Sequence, residues 1–411
     1  MERPPKDRSH LAVVKALTYT MFAMFAMTTD SVGIIIPEVI RTFRLSLTAA
    51  GSFQYATMGG IAVAALLMGQ LADRIGRRRT VIAGLTLFAV ACFLITSGDS
   101  FVFFAAILGL SGIAIGVFKT GALALIGDLS SSTTEHTSIM NMLEGFFGIG
   151  AIVGPAVLAR LLGAGLPWTR LYLLAGGICA VLIAVASLVQ YPEASRSTAG
   201  SGNGGIVATV KNPYVLAFSA LAFLYVGVEA AVYVWMPTLL KSYTGSAAVL
   251  ATYSVSAFFL LRAAGRFLGA WLLNTFQWQA VLALFSGSIL LCFVLAVTGG
   301  VPWAVYALPL SGLFMSVIYP TINSKGISCL PKAEHGAGAG VILFFTCVSA
   351  VLAPLAIGAV SDWFGQIAYG FWLATGFAAL LFAGLLLNWV VNPTRDVLEQ
   401  LDLTEYQKGA L

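Results

Sequence analysis

Gly69-Gln70-Leu71-Ala72-Asp73-Arg74-Ile75-Gly76-Arg77-Arg78-Arg79 packs four arginines and an aspartate into eleven residues of a chain that is otherwise nearly uncharged. It separates two apolar runs, 48–71 and 79–97. Each is close to the ~20 residues a helix needs to cross the hydrocarbon core of a bilayer. The stretch therefore reads as a short polar loop at a membrane surface, its charges in water and its flanks in lipid. Of the 411 residues, 59% are hydrophobic and 9% are Asp, Glu, Lys or Arg, against about 25% charged in soluble domains. So few charges cannot coat a water-exposed surface, which excludes a soluble enzyme, a disordered chain and a nucleic-acid-binding domain.

Outward from this loop the same alternation continues. Twelve apolar segments are predicted, at 13–37, 48–71, 79–97, 101–127, 139–162, 169–190, 214–240, 247–274, 277–298, 301–322, 337–361 and 366–391. They are rich in Ala, Gly, Leu and Phe, and small residues let membrane helices approach closely. Short alternating strands with turn signals are absent, so a β-barrel is not supported. The longest polar interruption, 191–213, reads YPEASRSTAGSGNGGIVATVKNP and is a Ser/Gly-rich linker. It divides the chain into an N-terminal six-helix bundle (1–190) and a C-terminal one (214–411) with a short tail. The expected fold class is an all-α integral membrane protein of twelve transmembrane helices in two pseudo-symmetric halves.

Basic residues orient the segments, because Lys and Arg concentrate on the cytoplasmic side. With the N-terminus inside, fourteen of them fall on the cytoplasmic side (Arg3, Lys6, Arg8, Lys15, Arg74, Arg77, Arg78, Arg79, Arg196, Lys211, Lys325, Lys332, Arg395, Lys408). Five fall outside (Arg41, Arg44, Arg160, Arg170, Lys241). Both termini come out cytoplasmic. The charged start, MERPPKDRSHLAVVK, lacks a cleavage site and reads as a tail. The five cysteines are scattered through apolar runs without a CxxC pair, so they read as small buried residues and no metal site is expected. His10, His136 and His335 fall in polar stretches.

At its place between the second and third of twelve segments, the opening stretch resembles the signature loop of the major facilitator superfamily, matching at Gly69, Asp73, Gly76, Arg77 and Arg78. The resemblance covers the whole chain and implies a carrier whose halves rock about a central site. It also implies a gate. Asp73 would sit against a helix N-terminus, and Arg77 would pair with an acid at the inner end of the fourth segment, where Asp128 stands. Gly69 and Arg78 belong to the same set. A weaker second copy is read at Gly358-Ala359-Val360-Ser361-Asp362-Trp363-Phe364-Gly365, and the eighth segment adds Gly265-Arg266-Phe267-Leu268-Gly269. Asp362, Arg262 and Arg266 are therefore gating candidates, the two arginines toward the inner end of their segment.

Three fragments resemble the fucose/glucose–proton symporter branch. They are Leu143-Glu144-Gly145-Phe146-Phe147-Gly148-Ile149-Gly150-Ala151, Phe223-Leu224-Tyr225-Val226-Gly227-Val228-Glu229 with Trp235-Met236-Pro237, and Ile318-Tyr319-Pro320-Thr321. The fourth segment departs from that branch. Where the branch carries an acid, this chain reads Gly116-Val117-Phe118-Lys119-Thr120.

A charge at the bilayer centre costs at least roughly 2.5–3.5 kcal/mol, so each needs a partner or a wet cavity. The resemblance to the major facilitator superfamily implies that the first, fourth, seventh and tenth segments line the cavity. Asp30, Lys119 and Glu229 fall on the first three of these. Lys119 is read either as a substrate ligand or as a partner of Asp30. Tyr225, Tyr233, Trp235, Tyr319 and Asn323 complete a substrate-binding set that suits a sugar, with rings for its apolar face and polar tips for its hydroxyls. Asp30, Glu144 and Glu229 are the proton-coupling candidates.

The function expected is secondary active transport of a small polar solute, proton-coupled sugar symport first. The alternatives are an organic-anion carrier using Lys119 and a drug/proton antiporter. The partial antiporter motif Gly150-x-x-x-Gly154-Pro155 lacks its trailing glycines and reads equally as a close-packing site. The protein is expected to be no enzyme, to use no cofactor beyond a proton gradient, and to act as a monomer in membrane lipid. Its partner is a small-molecule substrate and not nucleic acid, and its place is the bacterial inner membrane.

Overall fold

In lipid every backbone polar group has to be satisfied inside its own segment, so apolar runs bounded by polar turns become helices. The computed structural model describes residues 5–44, 47–68, 71–192, 205–241 and 243–406. Among these there is no strand. The twelve segments are all helical. Segment one runs as Pro5–Thr29 and Val32–Phe43, two as Leu47–Met68, three as Arg77–Leu94, four as Phe101–Leu129, five as Thr133–Gly163 and six as Thr169–Leu188. Segment seven is Pro213–Ala230, a π turn at Ala231–Trp235 and Met236–Leu240; eight is Ser254–Thr275 and nine Trp278–Thr298. Segment ten is Val301–Met315 and Ile318–Ser328, eleven His335–Phe364 and twelve Ile367–Val391.

The packing repeats. Segment four lies against two and three as ten lies against eight and nine; one lies against five as seven lies against eleven; three lies against six as nine lies against twelve. Between the halves, two packs on eleven and five packs on eight, which are again equivalent pairs. Most of 191–213 falls outside the described residues, but Gly205–Lys211 forms a short helix where a flexible linker was expected.

Three segments predicted as continuous are broken near mid-membrane, and each break has a local cause. In segment one, Thr28 Oγ1 and Thr29 Oγ1 donate to Phe25 O (3.0 and 3.2 Å) and Ser31 Oγ to Met27 O (2.5 Å). Hydroxyls that bond back onto the preceding turn bend helices. In segment ten, Pro320 has no N–H for the carbonyl of Ser316, and the helix stops at Met315 and restarts at Ile318. In segment seven, Pro237 deprives Tyr233 in the same way, inside the π turn. Asp30 sits in the first break.

Segment five lies directly on segment one. A Cβ at Gly150 would collide with the carbonyl oxygen of Ala23, and one at Gly154 with that of Met27, one turn before the Asp30 break. These glycines are close-packing residues. Gly154→Val is expected to destabilise the folded protein by at least the 1–3 kcal/mol typical of overpacking, read as a lower melting temperature in detergent; an unchanged melt would contradict this contact.

Two of the histidines that stand in polar stretches of the sequence are core residues. His136 and His335 open segments five and eleven, are fully buried, and meet edge to face with ring centroids 5.7 Å apart. Lys325, counted as a loop cation, is buried in the last turn of segment ten. All five cysteines are buried and unpaired.

Candidate functional site

Asp30 is exposed and Lys119, Tyr233, Arg262 and Tyr319 are half-buried, and the charged groups among them lie in one another's field across the two halves, which marks a recess between the halves. Asp30 stands in the break of segment one. Its side chain accepts one hydrogen bond, from Thr29 Oγ1 at 2.8 Å. It lies within the field of Lys119, Arg262 and Glu144. Lys119 pairs with neither Asp30 nor Glu144. Its Nζ lies over the Phe147 ring at 4.8 Å and the Phe22 ring at 5.9 Å, in cation–π range.

The other two acids of the proton-coupling set are held by arginines. Glu229 is paired with Arg262. Glu144 takes two bonds from Arg266, one to its main-chain oxygen and one from Nη2 to Oε2 at 3.2 Å. Arg262 and Arg266 stand in the middle of segment eight, one turn apart, and not toward its end. Their roles separate. Arg262 and Glu229 share one half, so this pair closes nothing between the halves. Arg266 reaches from segment eight to segment five and ties the halves together at mid-membrane.

The aromatic set divides likewise. Tyr225 is buried, stacks on Tyr319 at 6.0 Å and donates to Met315 O at 3.1 Å, satisfying the last carbonyl before the segment-ten break. Trp235 donates to Pro354 O at 3.1 Å and packs on Gly358, both in its own half. Tyr319 and Tyr233 keep partial exposure and are the rings available to a solute. Asn323 is buried beyond the break, its Oδ1 without a hydrogen-bond partner among the described residues.

Below the recess, toward Asp73, the halves are sealed. Arg77 Nη1 donates to Asp73 Oδ1 (2.5 Å), Nε to Asp128 Oδ2 (3.1 Å) and Nη2 across the interface to Lys332 O (2.5 Å). Asp73 accepts from the amides of Gly336 and Ala337 at 3.1 and 3.0 Å. These are free first-turn donors of segment eleven, so a carboxylate from one half caps a helix of the other. The equivalent helix start in the N-terminal half is capped the same way. Asp402, beyond segment twelve, accepts from Thr133 N (2.9 Å) and Thr133 Oγ1 (3.0 Å) at the start of segment five. His136 Nδ1 and Thr137 Oγ1 meet Ser324 Oγ at 2.6 and 2.9 Å, and Lys325 Nζ donates to Thr133 O at 3.2 Å.

Two gating candidates lie elsewhere. Arg78 is exposed and donates to Ser187 O within its own half. Asp362 is exposed near the end of segment eleven, which starts at the seal, so it sits at the opposite end of the molecule. Gly69 lies outside the described residues. Sequence reading missed Asp402, Ser324, His136, His335 and Lys325. The one signal for them was that His335 directly precedes an apolar run.

Burial pushes the Asp73 carboxyl up to about 6, against the pull of Arg77 and the two amides. A state with Asp73 in water holds that proton less readily. The proton-linked part of the Asp73 contribution to the seal is thus full in acid and lost as pH rises through about 6. Spin-label distances across this end, measured from pH 5 to 7.5, are expected to show a sealed population that depends less steeply on pH in Asp73→Asn than in the parent. Identical profiles would contradict it.

A family model of the Major Facilitator Superfamily matches residues 18–354. The chain is 27% identical over 376 residues to a glucose/galactose transporter of Brucella abortus, covering 84% of this chain and 87% of that one. It is 25% identical over 401 residues to the L-fucose-proton symporter of Escherichia coli, covering 88% and 90%. Its fold is similar to the crystal structure of FucP, a transporter in the outward conformation, with TM-score 0.78 at 20% identity over 92% of this chain and 98% of that one.

Proposed function

This chain belongs to the Major Facilitator Superfamily and is a secondary transporter, and from that premise we propose that it is a proton-coupled symporter of a sugar-like solute. The observation that carries the reading is Asp30. A carboxylate stands in a broken membrane helix, accessible from the recess and held by a single hydroxyl, where it can gain and lose a proton as the recess changes sides. Similarity to a glucose/galactose transporter and an L-fucose-proton symporter supports a sugar as cargo.

In this reading Asp30 takes the proton and Lys119, Tyr233, Tyr319 and the Glu229–Arg262 pair meet the solute. The Asp73 end is cytoplasmic, with both termini inside, as the Lys/Arg bias supports. The recess then faces outward. Return to the inward state requires the Arg77–Lys332, Asp73–Gly336/Ala337, His136–Ser324 and Arg266–Glu144 contacts to part while the opposite end closes. The protein works as a monomer in a bacterial inner membrane, without a cofactor.

The test is uptake of labelled glucose, galactose, fucose and glucuronate into proteoliposomes of the purified protein. Accumulation under an inside-alkaline pH gradient, collapsed by a protonophore, is expected for at least one of them. Uptake indifferent to the gradient for all of them would contradict proton symport.

A further inference from the structure

We propose that the solute carries one negative charge, as a sugar acid does, and that it crosses with one proton so that no net charge moves. This rests on the symport reading above. It follows from the charges at the recess. Four of the six are committed to each other, Glu229 with Arg262 and Glu144 with Arg266. Two are not. Lys119 has no carboxylate within ion-pair distance among the described residues and is held only by ring faces. Asp30 has only the Thr29 hydroxyl. The charged groups that face Asp30 are Lys119 on segment four, Arg262 on segment eight and Glu144 on segment five; Glu229 on segment seven lies in its field as well.

Closing the recess around its cargo removes water, and each charge left uncompensated then becomes costly. With Asp30 ionised and the site empty, Asp30 and Lys119 balance at a distance. Once Asp30 takes a proton, Lys119 is the single charge left over. A neutral sugar leaves it so. A carboxylate on the solute compensates it, and the loaded site carries Asp30–H, Lys119 with the solute anion, and two internal pairs. Proton and anion thus enter together or not at all. The half-buried Phe147 ring under Lys119 supplies an apolar wall for a pyranose face beside the charge.

The test uses the full-length protein in proteoliposomes, with labelled D-glucuronate and D-glucose as probes, under an imposed pH gradient or a valinomycin–potassium potential. Glucuronate is expected to accumulate under the pH gradient, with an initial rate that an inside-negative potential leaves unchanged. Lys119→Gln should lower its uptake about ten- to hundredfold, the range for a hydrogen bond to a charged group, while Lys119→Arg retains it. Both variants are first checked for an intact monodisperse elution profile. Glucose accumulation without glucuronate transport, or glucuronate uptake that the potential drives, would overturn the anion proposal and leave sugar symport standing. Failure of both probes to respond to the pH gradient while galactose or fucose accumulates would overturn the anion proposal alone; failure of all four would remove the symport reading and this inference with it.

Discussion

Alanine at position 77 is expected to unseal the Asp73 end of the molecule. Arg77 is buried and serves three partners at once: Asp73, Asp128 and the main chain of Lys332 in the other half. Removing the guanidinium takes from the Asp128 carboxylate, 3% exposed, one of the groups that compensate its charge. Stripping one member from a buried ion pair costs about 3–5 kcal/mol. At 1.4 kcal/mol per decade that is roughly two to three and a half orders of magnitude in the balance between sealed and open states. Pulsed spin-label distances between Arg79 and Glu334, exposed positions on opposite halves, report it directly, because the five native cysteines are buried. The short distance of the parent is expected to give way to a longer one in Arg77→Ala. An unchanged distribution would mean that the seal does not rest on Arg77.

The second large effect is expected at Arg266. It is 4% exposed, and both its bonds to Glu144 cross from the C-terminal to the N-terminal half in the middle of the bilayer. Arg266→Ala strands a buried carboxylate and is expected to lower stability by about 3–5 kcal/mol. Glu144→Gln in the same chain removes the stranded charge and is expected to restore most of the melting temperature without restoring transport. Failure of the double variant to recover would show that Arg266 acts through packing alone.

The twelve segments and the internal repeat were legible because both are written in hydropathy and in one long polar motif. The pairing of charges was not. The positions of Lys119 and Asp30 on cavity-lining segments allow either a substrate ligand or an ion pair, and segment position alone carries no register between helices to decide between them. The second copy of the signature loop was sought at Asp362, where spacing resembled the first. Helix direction places that residue at the wrong end. The loop after segment eight, Phe276-Gln277, carries no acid, and the equivalent helix start is capped by Asp402 from the C-terminal tail. A side chain 269 residues from its partner leaves no local trace. The helix breaks were half legible. Pro237 and Pro320 announce two of them, whereas the break at Asp30 arises from three hydroxyls whose back-bonding competes with the helix only in context.

One comparison tests the coupling role of Asp30 most directly: gradient-driven accumulation against counterflow exchange in Asp30→Asn. Both are measured in proteoliposomes with whichever probe the parent transports. If Asp30 carries the proton, the variant should lose accumulation under a pH gradient yet continue to exchange internal for external solute, since exchange needs the site to cross loaded but not to return a proton. Accumulation that keeps its dependence on the pH gradient in Asp30→Asn would contradict the account.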